Sequence, residues 1–177
     1  MHFSKKLAGA AAVALGLATA GVWTASAASS ATAADGDTQP SLVEDYSYPG
    51  AAAIQAQYHV TLISGDGHIV FADCATPPVD NVSVMQVRST EDVGTNGLVC
   101  FKVLAPAGHL ELRIPAVYEI RGDGRASGAG HKVKAEVTTD AGQHSTVDVN
   151  PSGSTQVGIG ANPNNPPATL LQLTAAP

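Results

Sequence analysis

Apolar and polar residues alternate most regularly at His109-Leu110-Glu111-Leu112-Arg113-Ile114, with Leu110, Leu112 and Ile114 on one face and His109, Glu111 and Arg113 on the other. A period of two predicts a half-buried β-strand. Pro115 interrupts it, which suits an edge or a bend, and residues 117–121 resume as a further extended run. The same alternation sets Lys132, Lys134 and Glu136 against Val133, Ala135 and Val137, and Leu98, Cys100 and Lys102 against Val99, Phe101 and Val103. Val60 and Leu62, then Ile69 and Phe71, flank Ser64-Gly65-Asp66-Gly67, so residues 58–73 read as a hairpin. Val82, Val84 and Val87 predict another strand, as do Val147 with Val149, Val157 with Ile159, and Leu170, Leu171 with Leu173.

One segment has a helical pattern. Pro49 precedes Gly50-Ala51-Ala52-Ala53-Ile54-Gln55-Ala56-Gln57, which predicts a short helix with Pro49 at its first position and Ile54 and Tyr58 on one face. Eight to ten short strands separated by turn residues then give an all-β expectation: an antiparallel β-sandwich or barrel-like fold with one short N-terminal helix covering an open end or edge.

The N-terminus follows a different logic. Lys5 and Lys6, the apolar run from Leu7 to Ala18, and Ala25-Ser26-Ala27 read as a signal peptide over residues 1–27, cleaved after Ala27. The apolar run is too short to span a bilayer, so no membrane insertion is expected after cleavage. Residues 28–45 hold almost no bulky apolar side chain and read as a disordered linker. Residues 46–177 form the single β-rich domain. Composition sharpens this picture once the leader is removed. The whole chain has 177 residues and a formal charge of -6, whereas the 150 residues after Ala27 keep all 15 acidic residues but only seven Lys and Arg, a charge of -8. Such a surface repels phosphate backbones, and nucleic acid is not an expected partner. The one tryptophan, Trp23, leaves with the leader, and with it any tryptophan platform for sugar stacking.

Candidate chemistry is sparse. Cys74 and Cys100 are the only cysteines and, in an exported chain, read as a disulfide tying the end of the second strand to the fourth. Asp66, His68 and Asp73 are metal-ligand types, but Gly65-Asp66-Gly67 has the composition of a tight turn, and Gly122-Asp123-Gly124 is read in the same way. Gly-x-Ser-x-Gly, His-Glu-x-x-His and P-loop motifs are absent, and nothing in the pattern calls for a cofactor or a metal. The histidines are scattered along the strands and turns.

Arg121, Arg125, Lys132 and Lys134 hold four of the seven basic residues left after the leader, opposed locally by Asp123. Together with His131 they flank a Gly-, Ser- and Ala-rich loop, and they read as one positive hairpin suited to an anionic partner. The expected function is a secreted, extracellular, non-enzymatic module that binds a cell-surface polymer or an extracellular protein through this hairpin. A hydrolase with a His/Asp/Ser site assembled only in space is the alternative, and a protease inhibitor presenting Pro77-Pro78 near the disulfide is another.

Tyr48-Pro49-Gly50-Ala51, Gly65-Asp66-Gly67-His68-Ile69, Asp73-Cys74, Asp148-Val149-Asn150 and Ala168-Thr169-Leu170-Leu171-Gln172-Leu173 resemble segments of small secreted proteins of high-GC actinobacteria. The resemblance spans most of residues 46–174, implies secretion, and brings no site residues with it.

Overall fold

A computed structural model describes residues 47–177, which belong to one compact unit. The expected leader and linker lie outside the described residues. The described chain is antiparallel β-structure with one short helix: α1 (Ala51–Tyr58), β1 (Thr61–Gly65), β2 (Ile69–Ala72), β3 (Met85–Ser89), β4 (Leu98–Val103), β5 (Gly108–Arg121), β6 (Lys132–Thr139), β7 (His144–Val149), β8 (Ser154–Gln156) and β9 (Ala168–Ala176). The all-β architecture read from the alternation is the one observed.

β5 organises the rest because it belongs to two groups of strands. Its first half pairs with β1 and β9, and β9 continues through β6 to β7. Its second half pairs with β3 and β8, and β3 continues through β4 to β2. The change comes at Pro115-Ala116, where the β5 registers slip and Ala116 takes φ 49°, a left-handed conformation unusual for a residue with a Cβ. Ser89 holds this corner: its hydroxyl donates to the Pro115 carbonyl at 2.6 Å, and the next residue, Thr90, donates its N–H to the Ala116 carbonyl at 3.0 Å. The run at 117–121 is therefore the continuation of the same strand after a bend, as Pro115 foreshadows.

Both groups contribute to one core. Leu110, Leu112, Val133, Ala135 and Leu173 from the first meet Ile69, Met85, Val87, Val99 and Phe101 from the second in a single buried cluster. Burying such side chains stabilises the fold by roughly 1.5–3 kcal/mol each. The helix adds Ala51, Ile54 and Tyr58, spaced three and four residues apart, as a partly buried face on this cluster.

Four local expectations are corrected. The run at Val157 and Ile159 is not a strand: β8 ends at Gln156, and Gly158–Gly160 form a single turn of 3-10 helix. Pro49 lies before the helix, whose N-cap is Gly50 at φ 73°, so proline is the second residue of the Tyr48–Ala51 turn instead of the first residue of the helix. Residues 58–73 do not form a hairpin: β1 pairs with β5 and β2 with β4, and the Gly65–His68 turn arches from one strand group to the other. Asp66 closes the arch by accepting the N–H of His68, two residues on, and that of His109, each at 2.9 Å; the second is a partner that local sequence cannot reveal. Likewise β5 and β6 are not hairpin partners, because β9 lies between them. The loop at 122–131 is a crossover.

The disulfide forms as expected. Cys74 and Cys100 bond with their Cα atoms 5.2 Å apart, just beyond the Ala72–Cys100 pairing of β2 with β4. No helix among the described residues is long and apolar enough to cross a membrane.

Candidate functional site at the crossover end

The crossover loop is built around one carboxylate. Asp123 is buried, with its side chain fully inaccessible; its Oδ1 accepts the backbone N–H of His131 at 2.8 Å and its Oδ2 meets His131 Nδ1 at 2.6 Å. A carboxylate facing Nδ1 at that distance places the imidazole proton there and leaves Nε2 as the outward nitrogen. The two ends of a glycine-rich loop are thereby clamped together, which offsets the entropy of ordering it.

The main chain anchors the same loop to two neighbours. Ser83 donates its N–H to the Asp123 carbonyl at 2.7 Å and Arg125 donates to Asn81 at 2.8 Å, joining it to the tight turn at 79–82. Gly122 donates to Gly153 at 3.0 Å and Gly124 to Pro151 at 2.8 Å, joining it to the β7–β8 connection. Gly122 and Gly124 are required by these close approaches, since a Cβ on either would press into backbone atoms of residues 150–151 or 129.

The basic residues divide into two pairs around this frame. Arg121 ends β5, opposite Gln86 and Ser154, and Arg125 is exposed on the loop with no side-chain ion pair among the described residues. Lys132 and Lys134 point outward from β6, where Lys134 pairs with Asp148 Oδ1 at 2.6 Å and Lys132 donates to the Pro177 carbonyl at 3.1 Å. Asp148 is 82% exposed, so this ion pair contributes about 1 kcal/mol at most and leaves Lys134 free to exchange partners. Lys132, Lys134 and the ion-paired Asp148 border an open groove of about 400 Å³ whose apolar lining comes from Val133, Val149, Pro151 and Ala176. Pro151 touches both units: it accepts from the crossover loop and lines the lysine groove.

Nearby, Glu119 sits below the usual carboxylate range. The Gln156 side-chain amide is the main cause; partial burial opposes it, while the Ser154 hydroxyl and the charges of Arg88 and Arg121 reinforce it. Arg121 is therefore partly matched by Glu119, whereas Asp123, the acid adjacent in sequence, is spent inside the loop.

Of the residues singled out from sequence, Arg125, His131, Lys132 and Lys134 lie around the Pro151 connection, Arg121 stands beside Glu119, and Asp123 is an internal anchor. Two features stand outside the expectations from sequence, the Asp123–His131 pairing and the apolar lining of the groove. An Asp and a His bracketing a seven-residue glycine-rich loop were the available signal for the first; no signal in β6 alone foretells the second, because Pro151 and Ala176 come from other elements. The chain matches no known family model, and no curated protein matches it in sequence.

Proposed function

We propose that the protein is an exported, non-enzymatic binding module whose crossover end holds an anionic cell-surface polymer. The observation that carries this reading is the groove bordered by two lysines, one of them paired with Asp148, with an apolar lining, next to an arginine-bearing loop that a buried carboxylate holds in place. On a chain of net charge -6 such a concentration of cations focuses attraction for polyanions at one end. Because the loop is ordered beforehand, little entropy is lost on binding. The disulfide and the leader-like N-terminus support export.

Retention of the purified protein on cell envelopes, measured with rising salt, tests the assignment. Substituting Arg121, Arg125, Lys132 and Lys134 together by Glu is expected to abolish retention, and wild-type retention is expected to fall steeply with salt. Unchanged retention of the quadruple variant sinks the surface. Retention that survives removal of the anionic polymer points to an extracellular protein as the partner instead.

A hydrolase is the second reading, favoured by one feature: a buried Asp on Nδ1 orients His131 as it would a general base. Among the described residues no Ser or Thr hydroxyl bonds to its Nε2, so the nucleophile such a site needs is not in place.

A further inference from the structure

A second site lies at the disulfide, with the opposite polarity. Tyr58 at the end of α1 and Phe71 in β2 set their rings 5.0 Å apart at 48°, and both line a cleft of about 170 Å³ together with Asp73, Cys74, Thr95 and Leu98. Every wall is fixed. The Tyr58 carbonyl accepts the N–H of Gly94 at 2.7 Å, the Phe71 N–H donates to the Tyr48 hydroxyl at 2.7 Å, and the disulfide joins the wall at Cys74 to β4. The lining includes one carboxylate, that of the exposed Asp73, and no Lys, Arg or His. Asp73 uses Oδ1 to accept the Ala75 N–H at 2.8 Å, while Oδ2 makes no hydrogen bond among the described residues.

We propose that this cleft binds a small organic cation, a quaternary ammonium headgroup lodged against Tyr58 and Phe71 with Asp73 as its counter-charge. The π-faces of aromatic rings attract cations, and the attraction grows as the cation loses water. A site of this size is too small for a drug-sized molecule and takes a headgroup instead. The disulfide and Leu98 supply the apolar contact that a methylated ammonium, unlike a simple one, rewards. A free cation and the headgroup of a choline lipid present the same chemistry to it.

Titration of the whole protein with choline chloride, followed by amide chemical shifts, tests the proposal, with 3,3-dimethyl-1-butanol as the uncharged carbon isostere. Saturable shifts at residues 58, 71–74 and 94–98 are expected with choline and not with the isostere. Asp73→Asn keeps an oxygen for the Ala75 N–H and removes the charge, and is expected to weaken binding about tenfold. Phe71→Leu keeps apolar volume and removes the ring, with a similar loss expected. Equal shifts with choline and isostere, or undiminished affinity in a folded Asp73→Asn protein, overturn the proposal, as does a response confined to other residues. Given a choline response, sedimentation with phosphatidylcholine but not phosphatidylglycerol vesicles supports the site and assigns it to a lipid headgroup. Choline binding without sedimentation supports it and assigns a soluble cation.

Discussion

Gly65-Asp66-Gly67 and Gly122-Asp123-Gly124 are the same tripeptide, and each connects strands that belong to different groups. Both aspartates accept a histidine backbone N–H and both lie near that histidine's ring, yet the outcomes diverge. Asp66 is 40% exposed and stands 3.6 Å from His68 Nδ1, whereas Asp123 is inaccessible and meets His131 Nδ1 at 2.6 Å. The difference lies in what covers them. Gly122 and Gly124 are both packed, under residues 129 and 150–151, whereas around Asp66 only Gly65 is approached, by the His109 carbonyl at 3.0 Å from a Cβ, and Gly67 is open. A tripeptide with turn chemistry therefore specifies a turn, and its neighbours in space decide whether its carboxylate is a surface clasp or an interior one.

The aspartates should separate most widely in stability. Asp123→Ala strips His131 of both its backbone and ring acceptors inside the loop, and is expected to cost about 3 kcal/mol. Asp66→Ala exposes its two N–H groups to water that is already nearby, for about 1 kcal/mol or less. Urea unfolding of the two variants measures both, and similar midpoints would erase the distinction between buried and exposed clasps. Asp123→Asn should fall between them, since an amide can serve the same two partners if His131 changes tautomer.

The glycines give a smaller contrast of the same sign. A methyl group on Gly124 meets main chain that cannot swing away, and the expected cost of Gly124→Ala is about 2 kcal/mol. Gly67→Ala meets nothing and loses only the freedom to hold φ +80°, about 1 kcal/mol. Thermal unfolding under two-state conditions reads the difference. A reversed order would mean that the crossover loop rearranges to admit the methyl.

These contrasts mark what the sequence makes legible. The strands at 98–103, 109–114 and 132–137 are read correctly because alternation reports which face is buried, whatever the partner strand is. Partner identity is not encoded in that signal. Both supposed hairpins, at 58–73 and 121–134, failed for this reason: β5 bends at Ala116 and draws β1 to one half and β3 to the other, while β9, the last strand in sequence, inserts between β5 and β6. Local turn chemistry does report one true pairing, since Asn96 at φ 54° and Gly97 at φ 77° close the doubly bonded turn from Thr95 to Leu98. The disulfide was legible because its two cysteines admit one pairing. The lysine groove was not, because its floor comes from strand ends remote in sequence, and the aromatic cleft was not, because Tyr58 and Phe71 meet only after the arch folds.

The smallest expected effect is a pH dependence of the exposed clasp. Partial burial works to raise the pKa of Asp66, but the N–H groups of His68 and His109, with the His68 charge, outweigh it and hold the carboxyl below its ordinary 3.8. A carboxyl depressed on folding contributes stability in full above its unfolded value and loses it as the pH falls through the folded one. Asp66→Asn retains one acceptor for the two N–H groups but cannot ionise. At neutral pH it should be slightly less stable than the parent, and the gap should close as the pH falls from about 5 to below 3.8. Parallel stability curves for the two proteins over that window would show that the arch is held by its backbone pairing alone, with no contribution from the charge on Asp66.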